Sequence, residues 1–300
     1  MVFLTVATCF SAGCAANQKP SARPGRVPAQ VQTATKQQLI ASYKEQAKAI
    51  QSINASVSMK LTAGTAYLGV IKQYHEVNGF LLAQNPASIR VIGQAPIVGT
   101  NIFDMVSDGQ TFHIFIPSKN QFLVGPANLQ RQSAKPIENL RPQHLTEAIF
   151  WVPISDDEPV LFESDDEPEA RYYVLTVIQA ASTANATTVS PASTDWQIDR
   201  KIWFDRADLN VARLQVYDPT GAVNADVRYS RWDSFSGVRF PRQIALTRPG
   251  EDYVLRIGIN KLTANETIPA ERFELKQPPG TELVDLGTEN NESGPKEPRP

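Results

Sequence analysis

The sequence predicts a mostly β (α+β) fold built on one antiparallel sheet, and two observations support this prediction. Short runs of alternating apolar and polar residues recur along the chain, most clearly in Val223–Ser230. A period of two is typical of a strand with one buried and one exposed face. Turn sequences such as Asp218-Pro219-Thr220-Gly221 separate the runs, and connections this short join antiparallel neighbours only.

Length and composition allow a substantial core. The chain has 300 residues, of which 42% are hydrophobic and 20% are charged, and its net charge is −2. A balance so close to neutral gives no reason to expect nucleic acid as a partner. Both cysteines lie within the first fourteen residues, so we expect no disulfide and no cysteine-ligated metal in the folded part.

The N-terminus predicts a lipid anchor. Residues 1–14 are apolar but too short to span a bilayer, and Phe10–Cys14 is similar to a bacterial lipobox, although no basic residue precedes it and Ser11 stands where Leu is usual. We interpret residues 1–14 as a truncated lipoprotein signal peptide ending at a lipidated Cys14. The alternative is an ordinary N-terminus with two incidental cysteines. Residues 15–34 are rich in Pro, Ala and Gln, which predicts a disordered tether.

Two helices are expected. Residues 36–52 carry an apolar stripe at helical spacing, and Thr35 with Gln38 fits a capping box at the N-terminus of this helix. Residues 144–150 suggest a short second helix.

About eleven strands account for most of the remaining chain, on the criterion of alternation between turn signals. They are expected within residues 53–61, 67–84 with a break near Asn78-Gly79, 87–93, 102–106, 111–116, 121–124, 172–178, 198–204, 209–217, 223–230, 238–246 and 253–259.

Three biased segments are expected to lack regular structure. Residues 153–170 are acidic and read as a solvated loop, because a calcium loop needs a glycine and a bidentate acid at fixed spacing that this segment lacks. Residues 180–195 are rich in Ser, Thr and Ala and suggest a flexible hairpin end. Residues 276–300 offer little to bury and predict a disordered tail.

No catalytic signature is present. His75, His113 and His144 are scattered without a recognisable partner, and there is no G-x-S-x-G motif and no glycine-rich phosphate loop. Carboxylates are plentiful, yet nothing selects a pair for acid–base chemistry. The sequence therefore predicts a protein that is not an enzyme and that uses neither a metal nor a cofactor.

Three motifs carry a family resemblance. Phe80–Arg90, Val106–Phe112 followed by Ile116–Gln121, and Arg213–Gly221 resemble motifs of the LolA/LolB-like lipoprotein-carrier superfamily, most closely an anchored LolB-like or uncharacterised lipoprotein branch. The resemblance covers roughly residues 36–275 and gives the expected domain, 35–275. It implies an incomplete antiparallel barrel whose concave apolar face, covered by the N-terminal helix and a short lid helix, holds acyl chains.

This resemblance implies a periplasmic lipoprotein that binds acyl chains of lipids or lipoproteins, is held in the outer membrane through Cys14 and works with the envelope lipoprotein machinery. By analogy with known sorting rules, Ala15 after the cysteine indicates the outer membrane. The side chains expected to contact acyl chains alternate along the strands: Val57, Met59, Leu61, Ile89, Val91, Phe112, Ile114, Ile116, Val223, Ala225, Val227, Leu255 and Ile257.

Two alternatives remain open. Two helices are few for so many strands, and a lipid-lined cavity is one way to cover the remaining apolar surface. A sheet that curls tightly enough to fill itself with side chains is the other way. In that case the protein would be a structural or scaffold lipoprotein of the envelope without a ligand. A hydrolase is a distant third hypothesis.

Overall fold

The computed structural model describes residues 31–64, 72–129, 140–166, 170–181 and 195–287. Two α-helices, α1 (Lys36–Ala49) and α2 (Pro142–Ile149), and two short 3₁₀ helices (Pro117–Lys119 and Ala270–Phe273) lie in these ranges. The strands are β1 (Ser52–Ala63), β2 (Lys72–Gln73), β3 (Val77–Gln84), β4 (Ser88–Gln94), β5 (Asn101–Ser107), β6 (Thr111–Ile116), β7 (Gln121–Pro126), β8 (Val160–Asp166), β9 (Arg171–Ala180), β10 (Trp196–Asp205), β11 (Val211–Tyr217), β12 (Val223–Phe235), β13 (Val238–Arg248), β14 (Tyr253–Ala264) and β15 (Glu282–Asp285).

All these strands belong to one open sheet, which confirms the predicted fold class. Its order is β15-β7-β6-β5-β4-β3-β1-β14-β13-β12-β11-β10-β9-β8, with β2 paired to β1. Every neighbouring pair is antiparallel except β15 and β7, which are parallel. The described part of the sheet has 15 strands, which is more than the number predicted.

The alternation read from the sequence sets which face is buried. In β1, Ile53, Ala55, Val57, Met59 and Leu61 are buried, whereas the residues between them are more exposed. The buried positions belong to the main core together with residues of α1 and α2. We call this covered side the concave face and the opposite side the convex face.

The first helix begins as predicted. The Thr35 hydroxyl accepts a hydrogen bond from the Gln38 backbone N–H at 3.3 Å, and the Gln38 side chain accepts one from the Thr35 N–H at 2.8 Å. This capping box satisfies two of the N–H groups that a helix start leaves open. The helix buries Leu39, Tyr43 and Ala47. It ends at Ala49, earlier than expected, because the chain is already extended at Ile50 and enters β1.

The second helix spans the curved sheet. It contacts β4 and β5 on one side and β13 on the other, and it buries Leu145, Ala148 and Ile149. Neither α1 nor α2 is long and apolar enough to cross a membrane.

The predicted disordered tail is wrong for residues 276–287. The segment after β14 crosses the convex face, where Arg90 Nη1 donates to the Arg272 carbonyl at 3.0 Å, and it ends in β15 against β7. Backbone hydrogen bonds to an open sheet edge need few apolar side chains, so the composition gave no sign of this strand. Residues 288–300 lie outside the described residues.

Two other segments differ from the expectation. The acidic stretch predicted as a loop contains β8, which pairs with β9 through Val160–Asp166. At the end of the predicted tether, Gln32 hydrogen-bonds the carbonyls of Arg206 and Ala207, at 2.7 Å through its backbone N–H and 3.0 Å through its side chain.

The predicted signal peptide with Cys14, residues 15–30 of the tether and most of the predicted hairpin end at 182–194 lie outside the described residues.

Candidate lipid-binding site

The residues predicted to contact acyl chains share one face, but they are not open to solvent. Most of them are buried, with exposed fractions of 7% or less: Val57, Met59, Leu61, Ile89, Val91, Phe112, Ala225, Val227, Leu255 and Ile257. Ile114, Ile116 and Val223 are half-buried. Ten of the thirteen belong to or pack against the main core that α1 and α2 share, whereas Phe112, Ile116 and Val223 lie outside it.

Aromatic and aliphatic side chains fill the space between the helices and the sheet. A small, partly open pocket with about 10 Å³ of internal space lies between α1, α2, β12 and β13, lined in part by Ile50, Ile149, Trp151 and Trp232. This is about the room that one water molecule needs. An acyl chain can enter only if part of the cover moves.

Residues 140–154, which include α2, lie over the concave face between β4, β5 and β13, and we call this segment the cover. After α2, Trp151 stacks on Tyr43 of α1 with ring centroids 5.3 Å apart. The Trp151 indole donates to the Tyr229 hydroxyl at 2.9 Å, and this hydroxyl donates to the Ala148 carbonyl at 2.9 Å. Burial raises the pKa of Tyr229 well above its usual value, so the phenol keeps the proton that it donates.

A polar cluster attaches the cover to the β13–β14 hairpin. His144 Nδ1 lies 2.6 Å from the Tyr253 hydroxyl oxygen, and His144 Nε2 lies 3.9 Å from Glu251 Oε1. Arg248 donates to both carboxylate oxygens of Glu251, at 3.1 and 2.9 Å, and its Nη1 lies 3.7 Å from Glu147 Oε2 on α2. We call His144, Glu147, Arg248, Glu251 and Tyr253 the polar cluster.

Burial disfavours the charged forms of three members of this cluster, His144, Glu147 and Tyr253, and shifts their pKa values accordingly. Desolvation lowers the pKa of His144 to about 3, and the nearby Arg248 and Arg141 guanidinium groups act in the same direction. Desolvation also raises the pKa of the Glu147 carboxyl. The buried side-chain oxygens Gln143 Oε1 and Asp252 Oδ1 have no hydrogen-bond partner. A buried polar atom without a partner costs about 1–3 kcal/mol, and because Gln143 belongs to the cover, the closed cover carries a penalty at this residue.

Sequence reasoning missed the role of His144. It has a buried partner 109 residues away in the chain, and no local motif signals such a pair. His113 contacts the Leu275 carbonyl through Nδ1 at 3.3 Å, and His75 is exposed. In the described part of the chain, no group of three or more His, Cys, Asp or Glu side chains is placed to hold a metal ion.

A second feature that sequence reasoning missed is an apolar hairpin tip. Ile97 and Val98, between β4 and β5, are 97% and 71% exposed. Gln94 on β4 pairs with Asn78 on β3, and Asn78 pairs with Ser58 on β1. When this alignment is followed through β14 to β13, the tip lies at the end of the sheet where the β13–β14 hairpin turns. Two β-branched residues within a turn bounded by Pro96 and Gly99 were the available signal, because turns usually select small polar residues.

Solved structures of other proteins match most of this chain at low sequence identity. No family model and no curated protein matches the sequence. Among solved structures, a LolA superfamily protein from Nitrosomonas europaea is 14% identical, covers 81% of this chain and 99% of its own, and has a TM-score of 0.46. A DUF1329 family protein from Desulfovibrio piger is 14% identical, with coverages of 78% and 94% and a TM-score of 0.48. A putative outer membrane lipoprotein-sorting protein domain from Vibrio parahaemolyticus is 12% identical, with coverages of 78% and 94% and a TM-score of 0.47.

Proposed function

We propose that the protein is a membrane-anchored envelope lipoprotein, not an enzyme, that binds acyl chains of a lipid or lipoprotein on its concave face when the cover moves. The observation that carries this proposal is the mixed attachment of the cover. Its apolar side chains lie on a broad apolar floor, whereas one end is held by the polar cluster, next to which the buried Gln143 Oε1 has no hydrogen-bond partner.

When an acyl chain replaces the cover, most of the apolar surface of the concave face stays buried. Leu145, Ala148 and Ile149 of the cover are 5% exposed or less. Burial stabilises by roughly 25 cal/mol per Å² whatever the apolar group, so an alkyl chain on the same floor replaces much of what the cover contributes. Opening also returns the buried polar groups to water, which relieves their desolvation penalty.

The position of the hairpin tip supports a role at a lipid surface. Ile97 and Val98 project from the end of the sheet at which the polar cluster lies. Exposed aliphatic side chains there can enter the apolar part of a bilayer beside the opening of the cover.

A scaffold lipoprotein without a ligand is the second candidate, and the nearly filled interior favours it. Titration of the full chain carrying Cys14→Ser with a fluorescent acyl probe separates the two functions. We expect saturable binding with one site per chain, together with co-purified lipid in native mass spectrometry. A protein that carries no lipid and binds no probe is the scaffold.

The anchor gives a direct prediction. Cys14→Ser should move the protein from salt-washed membranes into the soluble periplasmic fraction, because each buried acyl methylene contributes ~0.8 kcal/mol to membrane binding. Cys9→Ser is the matched control and should stay in the membrane. Unchanged partition of Cys14→Ser would show that this cysteine is not the anchor.

The hairpin tip gives a second prediction. Ile97→Ser with Val98→Ser should leave the Tm unchanged, because both side chains are exposed, but should slow the transfer of bound probe to phosphatidylcholine vesicles. Leu161→Ser with Leu283→Ser is the control, because these residues are 59% and 56% exposed at other places on the sheet. Equal transfer rates for both double variants would show that the tip takes no part in the transfer of the probe.

A further inference from the structure

Strand register aligns three basic side chains on the convex face. Lys60 on β1 lies directly opposite Arg256 on β14, Arg256 is opposite Ala245 on β13, and Ala245 is opposite Arg228 on β12. Directly opposed residues have Cβ atoms about 4.5–5.5 Å apart, and two strand spacings separate Arg228 from Arg256 by roughly 10 Å. We call Lys60, Arg228 and Arg256 the basic row.

The basic row has no acidic partner in the described part of the chain. Arg213 continues the line on β11, but its guanidinium is paired with Asp226, at 2.8 Å from Nε and 2.5 Å from Nη2. Arg228 and Arg256 are exposed, and Lys60 is half-buried. Most neighbouring convex positions on β12, β13, β14 and β1 carry small or uncharged side chains: Ser230, Gln243, Ala245, Thr247, Gly258, Ser58 and Thr62. Asp226, two residues before Arg228 on β12, is the exception, and it is paired with Arg213.

This arrangement works against the stability of the isolated protein. Like charges directly opposite each other across a strand pair destabilise a sheet, and the Asp226 carboxylate on β12 is engaged by Arg213 and not by the row. The chain as a whole carries a net charge of −2, so the local excess of positive charge does not reflect its composition. A partner that supplies negative charge would offset the repulsion.

We propose that the basic row is a docking surface for the phosphate headgroups of an anionic phospholipid bilayer. The small side chain of Ala245 leaves space between Arg228 and Arg256, whose guanidinium groups suit phosphate oxygens. The row also lies toward the same end of the sheet as the Ile97–Val98 tip, so one membrane surface can meet both. This inference goes beyond the proposed acyl binding and does not depend on it.

The test uses the full chain with Cys14→Ser and no added fatty acid. Unilamellar vesicles of phosphatidylglycerol and phosphatidylcholine should bind this protein at low salt, and pure phosphatidylcholine vesicles should bind it much more weakly. Each basic residue near an anionic surface contributes roughly fivefold in affinity. Lys60→Gln, Arg228→Gln and Arg256→Gln together should therefore weaken binding by about a hundredfold, while the Tm stays equal to or rises above that of the parent.

A matched triple variant separates the basic row from a general charge effect. This control removes the same charge from exposed sites elsewhere: Lys48→Gln on α1, Lys119→Gln in the turn before β7, and Arg171→Gln on β9. Its affinity for the vesicles should stay within about threefold of that of the parent, a loss smaller than one residue of the basic row contributes. The inference is overturned if the row variant binds as the parent does or if both triple variants lose equal affinity. It is also overturned if the parent protein ignores phosphatidylglycerol or binds both vesicle types equally.

Discussion

Leu145→Ala should increase the affinity for an acyl probe while it lowers the stability of the closed protein. Leu145 lies on α2 and is fully buried. Removing a buried leucine side chain typically costs about 2–5 kcal/mol, and here the loss falls on the closed position of the cover. A ligand that binds only the open state then binds more tightly, by roughly 30-fold or more if opening limits the affinity, because about 2 kcal/mol corresponds to a factor of about 30.

Leu175→Ala provides the matched control. Leu175 is also fully buried, but it belongs to β9 and not to the cover. It should lower the Tm without raising the affinity for the probe. Fluorescence titration and thermal melting of both variants give the comparison. If Leu145→Ala lowers the Tm as Leu175→Ala does and leaves the affinity unchanged, the cover is an ordinary part of the core.

Acidification from pH 7.5 to pH 5.5 should open the cover through His144. The pKa of this imidazole is about 3 in the closed protein, against an ordinary value of 6.5. The closed state therefore binds fewer protons than the open state, so its stability is complete above pH 6.5 and falls as the pH drops toward 3. Between pH 6.5 and pH 3, each drop of one pH unit lowers the stability of the closed state relative to the open state by about 1.36 kcal/mol. At pH 5.5 the affinity for an acyl probe should be about tenfold higher than at pH 7.5.

The groups that face His144 set the range of this effect. Arg248 and Arg141 place positive charge near His144, and burial raises the pKa of the Tyr253 hydroxyl, which stays protonated in this pH range. Burial raises the pKa of Glu147, so its protonation stabilises the closed state and opposes His144 at more acidic pH. A probe without an ionisable group avoids a titration of its own. His144→Gln removes the titrating group and should abolish the pH dependence, whereas a pH dependence that survives in this variant would exclude His144 as its source.

The parts of the fold that depend on local sequence were predictable. The capping box joins residues three positions apart, and the alternation in β1 or β12 determines by itself which side chains face the core. β8 and β15 were not predictable in this way. β8 is acidic and β15 follows a stretch rich in proline and glycine, and both strands form through backbone pairing with a neighbouring strand, which the side-chain pattern does not indicate.

The candidate site was predicted only in part. The apolar floor follows from alternation, but His144 and Tyr253 meet across 109 residues of sequence. How completely the interior is filled depends on where the large aromatic side chains lie. Trp151, whose position between Tyr43 and Tyr229 is set by the tertiary fold, occupies space that a count of helices and strands leaves empty.

The place of β1 in the sheet has a consequence for how the chain folds. β1 lies between β3 and β14, with Ile53 opposite Ala264 on its β14 side. A chain that emerges N-terminus first exposes one edge of β1 until nearly the whole domain has followed. Contacts of such long sequence separation slow folding and leave strand edges open to aggregation. The two halves of the sheet therefore join late, and a holdase that protects the edge of β1 should increase the yield of folded protein.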